Sequence, residues 1–117
     1  MSWQSERQQC EAICALLARV HLGHLWTATG PTEEACRLLE AKGGYLSHGQ
    51  ALMLQVGFDI WNGCGHATVG DLIGVLDGGN LLAVGSLLVE LSNPSPDIDS
   101  WLEDVGMRDE LARKVPR

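Results

Sequence analysis

Residues 46–63, LSHGQALMLQVGFDIWNG, decide the fold because they carry two conflicting hydrophobic patterns. Ala, Leu, Met and Gln favour a helix, and Ser47 and Gln50 have the spacing of a capping box. Within residues 51–61, however, apolar side chains also alternate as they do in a half-buried strand. The segment is longer than a usual strand, so we predict a helix that ends at Asn62-Gly63. The alternative is an α+β fold in which residues 51–61 form a strand.

Helical spacing and capping signals recur on both sides of this segment. The further predicted helices run from Ser5 to about Leu25, from Thr32 to Lys42, from Thr68 to about Leu76, from Leu81 to Leu91, and onward from a cap at Ser95-Pro96. Residues 81–91 are apolar nearly all round, which is typical of a buried helix, so we place them at the centre. The sequence therefore predicts an all-α fold. It is a single compact domain over residues 1–117 with five to six short helices, and residues 107–117 either add a turn or fray.

Charge is distributed unevenly along the chain. The 117 residues carry a net charge of −7, and between Gly43 and Met107 there are eight Asp or Glu but no Lys or Arg. Nucleic-acid phosphates are bound chiefly by Lys and Arg, so we predict no nucleic-acid binding and a protein partner with a basic surface. No apolar run is long enough for a membrane span, and Arg19 interrupts the stretch that a signal peptide would need. We therefore expect a cytoplasmic protein with four free thiols.

Cys64 and His66 lie one residue apart in a glycine-rich bend, and this pair is the main candidate for chemistry. A structural zinc site needs four ligands. Cys10 and Cys14 lie one helical turn apart from each other, and this pair could supply the other two ligands. None of these pairs has the C-x-x-C spacing that is common in zinc sites. We predict a structural turn with no metal and no cofactor. The alternative is a small metal- or thiol-dependent protein built on Cys64 and His66.

The sequence contains no phosphate-binding loop, dinucleotide fingerprint or serine nucleophile elbow, so we predict no catalytic residues. Tryptophans often anchor protein interfaces, and acidic residues surround the last tryptophan. We therefore predict a protein-interaction or regulatory module. The residues expected to contact its partner are Trp3, Asp97, Asp99, Trp101, Glu103 and Asp104. A third possibility is that residues 68–91 form a helix-turn-helix-like structural unit in a homo-oligomer such as a homodimer, as the high apolar content suggests.

Overall fold

The computed structural model describes residues 6–104. Within this range the chain is mostly helical, which confirms the predicted all-α class. The helices are α1 (Glu6–Ala18), α2 (Glu33–Glu40), α3 (His48–Asn62), α4 (Val69–Val75), α5 (Gly78–Leu91) and α6 (residues 98–104). A 3₁₀ turn (Gly23–Leu25) and an antiparallel ribbon of β1 (Trp26–Thr27) and β2 (Gly30–Pro31) connect α1 to α2. No helix within residues 6–104 is both long and apolar enough to cross a membrane.

Residues 48–62 form the helix α3, so the strand alternative for residues 51–61 is wrong. Its N-terminus has the predicted capping box: the Ser47 hydroxyl accepts from the Gln50 backbone N–H at 3.2 Å, and the Gln50 side chain accepts from the Ser47 N–H at 3.1 Å. Gly63 ends the helix in the left-handed conformation, with φ 78°. Residues 52–54 and 56–58 are all buried. The apolar alternation therefore reflects a helix that is buried on several sides, not one face of a sheet.

The first helix was predicted to reach Leu25, but it ends at Ala18. The Leu22 backbone N–H donates to the Leu17 carbonyl at 2.8 Å, and His21 adopts a positive φ of 65°. Hydrogen bonds of this kind around a left-handed residue close many helix C-termini. The chain therefore turns here and enters the ribbon.

The core forms where α1 packs against α3. Gly57 permits a close approach, since a Cβ on it would lie 3.0 Å from Cγ2 of Ile13. Trp26 packs edge-on against Phe58 and Trp61, with ring centroids 5.1 and 5.9 Å apart. The largest fully buried side chains belong to Ile13, Leu16, Leu17, Leu25, Met53, Leu54, Leu87, Ile98 and Val84. α3 therefore holds the central position that we expected of residues 81–91.

α5 is as apolar as predicted, but the other helices do not enclose it. It begins at Gly78, three residues before the predicted start, because the Asp77 carboxylate caps it by accepting from the Asn80 N–H at 2.8 Å. Its buried residues lie along one face: Ala83, Val84, Leu87 and Leu91. Its exposed apolar residues are Leu82, Leu88 and Val89. α5 therefore packs through one face and presents apolar side chains on others.

α6 begins later than the predicted cap at Ser95-Pro96. The Asp97 carboxylate accepts from the Ser100 backbone N–H at 3.0 Å, and the helix starts at the next residue. Aspartate is as effective an N-cap as serine, so the cap lies two residues further along the chain than predicted. The tail expected over residues 107–117 lies outside the described residues.

Candidate functional site

One carboxylate holds the loop between α3 and α4. Asp59, in the last turn of α3, accepts hydrogen bonds from the backbone N–H groups of Gly65, His66 and Ala67, each with an N–O distance of 2.9 Å. Hydrogen bonds to an ionised acceptor are shorter and stronger than neutral ones. The loop is therefore tied to α3 through hydrogen bonds of its main chain, and the half-buried Cys64 also packs against the core.

Gly65 lies directly against α3. A Cβ on this residue would lie 1.8 Å from the carbonyl oxygen of Gln55, so no larger residue fits without a backbone shift. The next residue, His66, adopts φ 60°, a conformation that is uncommon outside glycine. The bend is thus packed and hydrogen-bonded in the way expected of a structural turn.

Cys64 and His66 line a cleft of about 500 Å³ beside the C-terminal end of α2. Glu40 and Lys42 also line it, so the cleft brings a thiol, an imidazole, a carboxylate and an ammonium group to one surface. Cys64 is half-buried, whereas the other three residues are exposed. The cleft offers polar contacts of both signs, with water free to reach most of them.

The four residues considered for a zinc site do not come together. Cys10 is fully buried in α1, and the Cys14 thiol donates to the Gly23 carbonyl at 3.5 Å. Among residues 6–104, no group of three or more His, Cys, Asp or Glu side chains is placed to hold a metal ion. Cys64 and His66 therefore supply at most two of the four ligands that a structural zinc site requires.

Thiol reactivity in the native protein is expected to follow burial. Cys36 is exposed on α2, whereas burial raises the pKa of the Cys10 thiol, an effect that the Trp26 indole partly offsets. Because the thiolate is the reactive form, we expect an alkylating reagent at neutral pH to modify Cys36 first and Cys10 only after unfolding. Peptide mass spectrometry after brief labelling measures this order, with labelling in urea as the control. Equal rates at the two thiols would contradict it.

The residues predicted to contact a partner fall into two groups in the structure. The acidic members are all exposed on α6 or at its cap: Asp97, Asp99, Glu103 and Asp104. Trp101, by contrast, is only 3% exposed, and its indole N–H donates to the Ser86 hydroxyl at 3.1 Å. This corrects the prediction for Trp101, because its ring joins α6 to α5 and is not offered to a partner. Trp3 lies outside the described residues.

A groove between α3, α4 and α5 is surrounded by exposed apolar side chains. It has a volume of about 250 Å³, and its lining is apolar apart from Asp59 among the described residues. Val69 lines the groove and is 71% exposed, and Ile73 on the same helix is 67% exposed. The segment Val69–Val75 contains no buried residue. α4 therefore leaves its apolar side chains beside the groove, where another molecule can contact them.

This groove was not predicted from the sequence, although the composition of α4 contains a signal for it. α4 has seven residues, and at 3.6 residues per turn its apolar side chains cover nearly half of the helix circumference: Val69, Leu72, Ile73 and Val75. An apolar surface this broad needs more than one packing neighbour to bury it. α4 packs mainly on α3, so part of its apolar surface stays exposed.

Comparisons with family models, curated proteins and solved structures give no match to this chain. The exposed apolar side chains around the groove between α3, α4 and α5 are not buried by contacts among the described residues.

Proposed function

We propose that this protein is a non-catalytic interaction module that binds an amphipathic helix of a partner protein in the groove between α3, α4 and α5. The observation that carries the proposal is the exposure of apolar side chains on two adjacent helices: Val69 is 71%, Ile73 67% and Leu88 51% exposed. Contiguous apolar surface on a small soluble domain marks interaction sites. Amphipathic helices occupy such grooves through residues three and four apart.

The size and lining of the groove favour protein side chains over a small polar ligand. Its volume of about 250 Å³ is below the range of about 300 to 1,000 Å³ that is typical of small-molecule pockets. Both carboxylate oxygens of Asp59 already accept backbone N–H groups of the loop. The groove therefore offers apolar contact and few free polar groups to orient a small molecule.

Charge favours a partner helix that carries Lys or Arg beside its apolar face. Asp59 is the one charged residue among the described residues that line the groove, α4 carries Asp71, and no Lys or Arg occurs between Gly43 and Met107. Complementary charge raises association rates and selects partners more than it raises affinity. We therefore expect binding to weaken as salt screens these charges.

Two synthetic peptides test the proposed partner chemistry. Both have the same helical pattern of leucines, but one carries lysines and the other glutamates on its polar face. We expect the lysine peptide to bind at least about tenfold more tightly, and to shift the NMR methyl signals of Val69, Ile73 and Leu88. Binding of neither peptide, or equal binding of both, would overturn the proposal.

Val69→Ser is expected to weaken binding of the lysine peptide by about tenfold, because Val69 lines the groove and its replacement removes about 1 to 2 kcal/mol of apolar burial from the contact. The side chain is mostly exposed in the free protein, so its replacement should change the free energy of unfolding by less than about 0.5 kcal/mol. Tyr45→Ser is the matched control, since Tyr45 is 73% exposed and does not line the groove. Titration calorimetry of the three proteins measures the difference. An unchanged affinity for Val69→Ser would contradict the assigned site.

A further inference from the structure

α5 has a second apolar face, separate from the groove. Gly78, Leu82, Gly85 and Val89 follow one another at spacings of four, three and four residues, which places them in a single stripe along the helix. Leu82 is 49% and Val89 68% exposed. The stripe therefore alternates between glycines that leave space and large apolar residues that project from the helix.

Gly85 has no role that contacts among the described residues explain. A glycine inside a helix is less favourable than alanine, yet a Cβ on Gly85 would meet no atom within 4 Å outside its own stretch of helix. Alanine would thus fit this position and favour the helix. A close approach by a helix from another molecule is a physical reason for glycine here.

We propose that α5 pairs antiparallel with α5 of a second copy of this chain through this stripe. When the two-fold axis of the dimer passes between Leu82 and Gly85, Leu82 of one copy faces Gly85 of the other. Gly78 of each copy then faces Val89 of the other. Each large side chain then enters the space above a glycine. A two-fold interface requires a surface that is complementary to itself. The order of large and small residues along α5 meets this requirement.

Charges beside the stripe favour the antiparallel direction. The Arg19 side chain lies next to the N-terminal end of α5: its guanidinium donates to the Asn80 side chain at 2.9 Å and reaches within 3.3 Å of a Cβ built on Gly79. Glu90 lies at the other end of the helix. Antiparallel pairing brings Arg19 of each copy towards Glu90 of the other, whereas parallel pairing brings like charges together. Antiparallel helix dipoles also attract.

Gly85→Ala gives opposite effects on folding and on association if this pairing exists. We expect the variant to unfold at a higher urea concentration than the parent, because alanine favours the helix, and its dimer dissociation constant to rise about tenfold or more, because the methyl group occupies the space for Leu82. Sedimentation velocity over a concentration series measures association. Gly49→Ala is the matched control, since a Cβ on this α3 glycine also meets nothing within 4 Å, and it should leave association unchanged.

A charge exchange tests the direction of pairing. Arg19→Glu and Glu90→Arg should each weaken self-association, while a mixture of the two variants should form a heterodimer in which both pairs are restored. Circular dichroism of each variant checks that the fold is retained. Val69→Ser, which changes a residue that lines the groove, should not alter dimerisation, so this inference and the proposed function fail independently. A parent protein that stays monomeric at every concentration, or a Gly85→Ala variant that associates like the parent, would overturn the pairing.

Discussion

Gly65→Ala is expected to lower the free energy of unfolding by about 3 to 5 kcal/mol, at the upper end of what a single methyl group does. The added Cβ would lie 1.8 Å from the Gln55 carbonyl oxygen and 2.7 Å from its carbon. Both atoms belong to the backbone of α3, which is buried in the core and cannot rotate away. The loop must therefore move off the helix, and its hydrogen bonds to Asp59 must lengthen or break.

Urea denaturation followed by circular dichroism measures this loss. Gly49→Ala separates steric overlap from the general effect of replacing glycine, because a Cβ there meets nothing within 4 Å and alanine should slightly stabilise the helix. A second comparison is Gly63→Ala, where no atom is within 4 Å but φ is 78°. Its loss should be about 1 kcal/mol, from backbone conformation alone. Equal losses at positions 63 and 65 would show that Gly65 does not touch α3.

Asp59→Ala is expected to lower the free energy of unfolding by about 3 kcal/mol. The substitution removes the acceptor of three backbone N–H groups, those of Gly65, His66 and Ala67. A hydrogen bond to a charged group contributes about 1.5 to 3 kcal/mol. The sum is reduced here because the His66 N–H is exposed and can bond to water instead.

Asp71→Asn is the control for the loss of a negative charge near the same loop. Asp71 is exposed in the first turn of α4, where its charge favours the helix N-terminus by a few tenths of a kcal/mol to about 1 kcal/mol. Amide hydrogen exchange provides a local readout, since protection at residues 65–67 should fall in Asp59→Ala and persist in Asp71→Asn. If the two variants had equal stability, Asp59 could not be the anchor of the loop.

When Gly65→Ala and Asp59→Ala are combined, the loss in free energy of unfolding should be smaller than the sum of the two separate losses. Gly65→Ala already displaces the loop that Asp59 binds, so Asp59→Ala then has fewer hydrogen bonds to remove. Groups that share a contact show coupling of about 0.5 to 3 kcal/mol in double-mutant cycles. Full additivity would mean that Gly65 and Asp59 stabilise different parts of the structure.

Local signals in the sequence were sufficient to predict the all-α fold class and the first residues of several helices. Ser47 caps α3 as predicted, and Thr68 and Thr32, the predicted starts of two further helices, cap α4 and α2 through their hydroxyl groups. Each of these caps depends on residues no more than three positions apart. Cap chemistry therefore depends on local sequence and can be recognised without knowledge of tertiary contacts.

Local signals were misleading where two candidate positions competed. The first helix ended at Ala18 although its apolar spacing continued, and Asp97 capped α6 in place of Ser95. The left-handed turn at His21 sends the chain into the ribbon, where Trp26 reaches the core. That ring packs edge-on against Phe58 and Trp61, a contact between distant segments that helical spacing does not reveal.

By itself, the sequence determined that the chain folds into short helices, where most of them begin, and that residues 43–107 carry only acidic charge. The tertiary structure decided which apolar surfaces are buried: α3 is at the centre, Trp101 is inside, and α4 and one side of α5 remain exposed. Helix formation depends on neighbours within a turn, whereas burial depends on contacts between distant segments. The Gln9 side chain that donates to the Ile60 carbonyl at 2.9 Å, across 51 positions, is one such contact.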